Sequence, residues 1–375
     1  MFIAITGSNP ELSLAELERI YTRVTPQNNA SVCFDGEIWP HLGGTSKIGE
    51  IITTLDTVDL SKVMSYLEAE LPDTLGLNTT KFDIGLSFYG KRVRNYRSLV
   101  FTLKKQWRQR GLKPRFILGK QQDLSSAQVI HNRLTAADSH EIIISAGAET
   151  TIIARTVWVQ DIERYTLRDM ERPRRDLEVG MLPPKLAQIM INLAGGHYVY
   201  DSFCGSGVVL QEALLMGKRA GGSDLASVMV ENARVNLDWL SDRFNTPAPE
   251  VLSVADARTL TLPEGVDTIV TEGYLGPGQH GSATREDLVE LAESSSQLMT
   301  VTLKNLQPQL PSGATLCIAL PAWAYRNEVI LPPLIDTVEK LGYNRIRLNS
   351  VSTNQLLYLR DSQYVGRQLI LLEKK

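Results

Sequence analysis

The residues of this chain best suited to chemistry lie in one stretch, Val199-Tyr200-Asp201-Ser202-Phe203-Cys204-Gly205-Ser206-Gly207. The apolar run over 197–200 predicts a short strand that ends in a carboxylate and a tight glycine turn. A helix is expected to open at Val208 and run to about Met216, with Gly217 closing it. A second strand then reaches Gly221-Gly222-Ser223-Asp224. Strand, glycine loop, helix, strand and acidic tip make the nucleotide-binding half of a doubly wound α/β fold. The glycines let a ligand approach the backbone, and the carboxylate after the second strand accepts hydrogen bonds from ribose hydroxyls. Asp224 follows Asp201 by 23 residues, near the ~20-residue offset of that carboxylate.

Two nucleotide classes are excluded by what is missing. A dinucleotide fingerprint needs a third glycine where Leu210 stands, and a phosphate-cradling loop needs a Gly-Lys-Ser/Thr run that does not follow Gly207. An acidic residue before a Gly-x-Gly loop without phosphate-binding equipment suits a ligand with an amino-acid tail and an adenosine, S-adenosylmethionine. Asp201 would attract the ammonium of the tail, while the amides from Phe203 through Cys204, Gly205, Ser206 and Gly207 would face its carboxylate. The alternative is a structural strand turn. Further on, a strand over 250–254 leads to Asp256, a candidate partner for the adenine amino group or a cap for the turn that follows. A fourth strand over 267–271 runs into Glu272-Gly273-Tyr274-Leu275-Gly276-Pro277. Ligands of open sheets sit at the carboxyl ends of strands, so this loop is where a methyl acceptor belongs.

Charge is distributed unevenly. Between Lys91 and Lys120 stand 11 basic residues (Lys91, Arg92, Arg94, Arg97, Lys104, Lys105, Arg108, Arg110, Lys113, Arg115 and Lys120) and no acidic one. Setting those 11 aside from the 39 basic residues leaves 28 against 42 acidic ones. A basic block on an acidic chain is a candidate polyanion footprint. Trp107, Tyr96 and Phe116 interleave with it and are expected to stack on bases or ribose. The alternative is a solvated helix face.

The elements that position these residues follow from periodicity. Residues 2–6 alternate as a strand, and Asn9-Pro10 turns into a helix with Leu14, Leu17 and Ile20 on one face. Helices are expected over 46–55, 60–67, 99–109 and 125–134, and strands over 82–88, 116–118, 141–144 and 151–158. Alternating Arg and Asp/Glu over 162–180 predicts a polar linker. A helix after Pro183-Pro184 carries Leu186, Ile189, Met190 and Leu193 as a packing stripe. A helix over 227–240 carries Val230, Ala233, Leu237 and Leu240; a fifth strand covers 315–320, and a closing hairpin turns at Asp361-Ser362.

Bulk properties set limits. At 375 residues, 43% hydrophobic and 22% charged, the chain has room for two or three globular domains. Cys33, Cys204 and Cys317 are too far apart to suggest a disulfide framework or zinc site, and no histidine pair has metal-ligand spacing, so no metal is expected. Met1 to Ile5 lacks the basic flank of a signal peptide. No apolar run approaches the ~18 residues of a membrane span, and the expected compartment is the cytoplasm.

Blocks across nearly the whole chain carry a further signal. They include Asn9-Pro10-Glu11-Leu12-Ser13-Leu14-Ala15-Glu16-Leu17, Leu42-Gly43-Gly44-Thr45-Ser46-Lys47-Ile48, and Leu124-Ser125-Ser126-Ala127-Gln128-Val129 with His131-Asn132. Val159-Gln160-Asp161-Ile162, Arg172-Pro173-Arg174-Arg175-Asp176, Gly180-Met181-Leu182-Pro183-Pro184-Lys185-Leu186-Ala187-Gln188, the glycine motif and Val365-Gly366-Arg367 complete the set. In this order the chain resembles the THUMP-containing tRNA guanine-N2 methyltransferases. The resemblance implies an α/β chain with a ferredoxin-like region over 1–65, a THUMP RNA-binding domain over 66–162 and a linker over 163–180. A Rossmann-like, S-adenosylmethionine-dependent class I methyltransferase domain would follow over 181–375. It also implies tRNA or another structured RNA as partner and no membrane; the acidic catalytic half leaves room for an activating subunit without naming one.

One departure stands out. In the family the fourth strand ends in Asp-Pro-Pro-Tyr or a close variant, whose carboxylate and backbone carbonyl hold the acceptor amine while the ring stacks on the flipped base. Here the run is Glu272-Gly273-Tyr274. Glu272 is expected to orient the amine and Tyr274 to stack, one position early. Ser202 also stands where proline is usual. Two other outcomes stay open: an RNA-binding relative without catalysis, and a methyltransferase for DNA or another non-tRNA substrate.

Overall fold

A computed structural model describes residues 1–77, 80–175, 181–276, 283–360 and 363–375. Its contacts divide into two compact units.

The first unit comprises Met1–Pro10, Tyr21–Pro40 and Gly44–Ile162. It holds an eight-stranded sheet of β1 (Phe2–Thr6), β2 (Val24–Asn28), β3 (Ser31–Phe34), β4 (Thr45–Leu55), β5 (Lys81–Tyr89), β6 (Lys113–Ile117), β7 (Ser139–Ala146) and β8 (Thr151–Val159), in the order β2-β3-β1-β4-β8-β7-β5-β6. β5 runs parallel to β6 and β7, and β7 runs antiparallel to β8. The helix expected over 46–55 is instead the long strand β4. Its apolar residues Ile48, Ile51, Ile52 and Leu55 copy the helical i, i+3, i+4, i+7 spacing because two register shifts against β8 interrupt the two-residue alternation. The run Ile51-Ile52-Thr53-Thr54 is β-branched throughout, which favours the pleated surface.

Helices Leu60–Ala69 and Tyr96–Gln109 pack on this sheet through Val63, Leu67, Val100, Leu103 and Trp107. Trp107 and Tyr96 are buried and bond to Leu67 O (3.1 Å) and Leu86 O (3.2 Å), and Phe116 packs against Trp107. The expectation that these rings stack on bases is therefore corrected: they build the core beneath the basic surface. Between the strands lies a sealed polar cluster. Glu141, fully buried, accepts from Lys47 Nζ and Ser87 Oγ at Oε1 (2.5 Å each) and from Thr156 Oγ1 at Oε2 (2.7 Å).

The second unit comprises Glu11–Ile20, His41–Gly43 and Glu163–Lys375. Its strands are β9 (Tyr198–Asp201), β10 (Arg219–Asp224), β11 (Val251–Val254), β12 (Thr268–Glu272), β13 (Thr315–Tyr325), β14 (Glu328–Ile330), β15 (Tyr343–Arg345), β16 (Leu357–Tyr358) and β17 (Val365–Lys374). The main path is β11-β10-β9-β12-β13-β17-β15, with β14 on β13 and β16 on β17. The first five strands of that path are parallel, whereas β17 is antiparallel to its neighbours. β16 and β17 pair as expected of a closing hairpin; its turn at Asp361-Ser362 lies outside the described residues.

Helix Pro184–Ala194 is buried around its circumference, well beyond the expected stripe. The helix Pro10–Ile20 buries Leu12, Ser13, Ala15, Glu16 and Leu17, not the Leu14-Leu17-Ile20 face. Glu16 explains the rotation: its Oε1 accepts from Gly43 N (2.8 Å) and Asn192 Nδ2 (2.7 Å) within the second unit. Glu18 accepts from the amides of Asn349 and Ser350, and Arg19 Nε donates to Leu193 O (2.8 Å). The polar run after residue 162 is also more ordered than its composition suggests. It forms helical turns over Ile162–Thr166 and Leu167–Glu171, and Arg168 is buried against Glu212 at 2.6 Å. Residues 176–180 lie outside the described residues.

Candidate cofactor and acceptor site

At the carboxyl ends of the parallel strands the second unit encloses a cavity of about 620 Å³, within the range of small-ligand sites. It brings together Asp201, Phe203, Cys204, Gly205, Ser206, Asp224, Asp256, Glu272 and Tyr274, with Leu225, Met229 and Leu298 among the apolar walls. Of the residues singled out in the sequence for cofactor or acceptor, Gly207 alone is not in the wall; it starts helix Val208–Leu215 at φ 86°. That left-handed backbone suits glycine, and a side chain there would press on Ala233 at 3.1 Å.

The loop is held largely from within. Phe203 N donates to Asp201 Oδ1 (3.1 Å), Cys204 N to Ser223 O (2.9 Å), Gly205 N to Asp224 Oδ2 (3.0 Å) and Gly207 N to Cys204 O (2.8 Å). Four of the five amides expected to face a ligand carboxylate therefore have protein partners, and Asp224 braces the loop while lining the cavity. Asp201 is 2% exposed and also accepts from Thr271 Oγ1 at 2.5 Å. Burial, reinforced by the neighbouring Asp224 and Glu272 charges, pushes its carboxyl up to about 7 despite those hydrogen bonds. A buried carboxylate in this position gains most from a cationic ligand group. Cys204 is buried, and burial followed by the Asp201 and Asp224 charges raises its thiol strongly. That is the environment of a packing residue, not a nucleophile.

Asp256 lines the cavity with both carboxylate oxygens engaged by Arg258, from Nε at 2.9 and 3.0 Å and Nη2 at 2.6 Å, while Arg258 N caps Oδ1 at 2.9 Å. The turn-capping role is thus present, and a ligand contact would share these oxygens. Glu272, the last residue of β12, accepts from Arg367 Nε at 2.6 Å. Burial raises its carboxyl and the Arg367 charge opposes the rise. No donor among the described residues reaches its Oε2. Gly273 N bonds to Ala319 O (2.9 Å), and Tyr274 stands at the rim, 53% exposed. Pro277 lies outside the described residues.

The basic residues belong to the first unit. Lys91, Arg92, Arg94, Arg97, Lys105, Arg108, Lys113 and Arg115 are exposed and Lys104 half-buried. On helix Tyr96–Gln109, the spacing of Arg97, Phe101, Lys104, Lys105 and Arg108 places them on one face, away from the buried Val100, Leu103 and Trp107. Phe101, 58% exposed, lies in a hollow with Lys104, Lys105 and Arg108. Arg115 is neutralised by Asp83. Sequence reasoning missed Phe101, Thr271, Arg258 and the role of Arg367; only Arg367 had left a trace, in the terminal Val365-Gly366-Arg367 block. Among the described residues no His, Cys, Asp and Glu group has the makings of a metal site, and no helix is long and apolar enough to cross a membrane.

Numbered from β9, the main strand path reads 3-2-1-4-5-7-6, with the acidic cavity over the ends of its first, second and fourth strands. The second unit therefore has the Rossmann-like methyltransferase fold. Residues 172–276 match the family described as UPF0020: RMKL-like, methyltransferase domain. The chain is 37% identical over 145 residues to a tRNA (guanine(10)-N2)-dimethyltransferase of Methanothermobacter thermautotrophicus, covering 38% of this chain and 39% of that protein. It is 42% identical over 59 residues to the enzyme of the same name from Pyrococcus abyssi, covering 16% and 18%. The matched stretches thus span well under half of those relatives. The crystal structure of TrmN from Thermus thermophilus shares the fold, with a TM-score of 0.54 and 19% identity over 100% of this chain and 99% of that one.

Proposed function

We propose that this protein is an S-adenosylmethionine-dependent methyltransferase acting on the N2 amino group of a guanosine in tRNA. The observation that carries the proposal is Glu272, a half-buried strand-end carboxylate anchored at one oxygen, whose other oxygen has no partner among the described residues and which lines a cavity shared with Asp201 and Asp224. The relatives named as tRNA (guanine(10)-N2)-dimethyltransferases support the choice of acceptor.

The cavity fits the cofactor chemically. Asp201 would receive the ammonium, Asp224 the ribose hydroxyls and Asp256 the adenine edge, between apolar walls at Leu225 and Met229. The bound cofactor supplies an electrophilic methyl group on a sulfonium. The chain's own contribution is alignment, worth up to ~7–11 kcal/mol in well-oriented systems. Glu272 would accept an N–H of the amine, fix its lone pair and offset the positive charge that develops on nitrogen. Tyr274 would stack on the base. In this reading RNA is gripped by the Arg97–Arg108 face and the Lys91–Arg94 segment of the first unit, which would contain the ferredoxin-like and THUMP regions, and the protein works in the cytoplasm.

The test is transfer of tritiated methyl from S-adenosylmethionine to unmodified bulk tRNA, with Glu272→Ala alongside and nucleoside digestion of the product. Label in N2-methylated guanosine, lost in the variant, is the expected outcome. Cofactor binding without label in any RNA would overturn the proposal and favour a non-catalytic RNA-binding role.

A further inference from the structure

Glu272 and Arg367 lie on strands separated by β13: Glu272 is in register with Ala319, and Arg367 is opposite Pro321. The two side chains nevertheless meet at 2.6 Å, with Arg367 4% and Glu272 18% exposed. We infer that Arg367 is a positioning residue for the acceptor carboxylate. Its Nε–H fixes one oxygen of Glu272 and thereby presents the other to the acceptor amine. The inference rests on the proposal that Glu272 faces that amine.

Three features require such a device. Glutamate has one more rotatable bond than the aspartate usual at this position in the resembled family, so an unanchored side chain would sample several rotamers. Gly273 supplies no ring to stiffen the turn, which is confined instead by its bond to Ala319 and by Met299, 3.3 Å from where a Cβ would stand. The surrounding charge is also unfavourable to a carboxylate. Asp201 at the end of β9 and Asp224 at the end of β10 are acidic, and Asp256 is occupied by Arg258. β13 contributes Ala319, and helix Arg285–Leu306 contributes Leu298 and Met299, none of them titratable. Among the described residues Arg367 is thus the cation in direct contact with Glu272, and a planar guanidinium holds an oxygen in a more defined direction than an ammonium can.

The test compares full-length wild type, Arg367→Met, Arg367→Lys and Glu272→Gln. It reads kcat for methyl transfer to unmodified tRNA, cofactor affinity by calorimetry, and the pH dependence of kcat. Saturating cofactor separates Glu272 from Asp201, whose proton equilibrium enters through cofactor affinity. For Arg367→Met the expected result is a fall in kcat of about 10–100-fold, the scale of losing an orienting partner, with cofactor affinity nearly unchanged. The acid limb should move to higher pH, because Glu272 loses the charge that opposes its protonation. Arg367→Lys should bring that limb back and recover part of the rate. An unmoved limb in Arg367→Met, whatever its kcat, would reduce Arg367 to a packing residue. If Arg367→Met does not fold, Arg367→Lys decides: reduced kcat with intact cofactor affinity supports the inference, and wild-type kcat overturns it. Full activity in Glu272→Gln would sink the underlying proposal, whereas inactive Glu272→Gln with unaffected Arg367 variants would sink this inference alone.

Discussion

Each unit sets a glutamate against a basic side chain, fully buried in the first and half-buried in the second, and the two sites are built to opposite ends. Glu141 in the first unit has both oxygens taken: Lys47, Ser87 and Thr156 surround it, and Lys47 Nζ donates in turn to Leu124 O at 2.7 Å. Glu272 in the second has, among the described residues, one donor on one oxygen, and it lines a cavity. A satisfied buried network can fix which strands pair and in what register; a partly satisfied one is costly unless something arrives to complete it. The number of occupied lone pairs, more than burial, separates a carboxylate that holds a fold from one that awaits a ligand. Glu212 confirms the pattern on the structural side, with Arg168 on both oxygens and Gln188 on one.

The largest expected effect breaks the sealed site. Glu141→Leu strands the Lys47 ammonium in the core and should cost about 3–5 kcal/mol, read as a lower denaturant midpoint. The double variant with Lys47→Met should recover much of that loss. A single variant as stable as wild type would show that the cluster contributes nothing to folding.

Glu272→Gln should invert that outcome. Methyl transfer falls by about 10²–10³-fold, as for loss of one preorganised partner of a transition state, while the denaturant midpoint shifts less than in Glu141→Leu. A destabilisation matching that of Glu141→Leu would erase the distinction between the two sites.

Asp201 sharpens the comparison through pH. Its carboxyl is raised to about 7 in the folded chain from the ordinary value near ~3.9. The folded state therefore binds the extra proton between those values. This contribution to stability is fully present below the lower value and is lost as pH rises through about 7. Cofactor affinity should run the other way, rising by up to about tenfold per pH unit below the raised value, since the ammonium requires the ionised form. Isothermal titration across this range checks the slope, and Asp201→Asn should flatten it.

The smallest effect concerns the first unit's surface. Replacing Arg94, Lys104 and Arg108 by Ala should weaken RNA binding and reduce the slope of log K against log salt by about 2–3, near one per lost phosphate contact. An unchanged slope would move the RNA footprint elsewhere.

The glycine loop, Asp224, Asp256 and Glu272 were legible because they are local: each is fixed by a strand end and a turn within a few residues. The parallel strand rhythm of the second unit was legible for the same reason. What escaped depended on partners distant in sequence. Arg367 meets Glu272 across 95 positions and Thr271 meets Asp201 across 70, and no local pattern announces either. β4 escaped because its bulges imitate a helical period. The aromatic residues of the basic window were misassigned because spacing along a helix does not say which face is covered; Trp107 points inward and Phe101 outward.

The helix Pro10–Ile20 has a consequence for biosynthesis. Its Glu18 bonds to the amide of Asn349, 331 residues later in the chain. At ~5–20 residues per second that partner arrives roughly half a minute after the helix emerges. The second unit therefore cannot close around this helix until Asn349 has been made, long after the helix itself. A fragment started at residue 163 would lack Glu16 and His41, the acceptors of the Asn192 side-chain amide at 2.7 and 2.8 Å, and should yield less soluble protein than the longer chain.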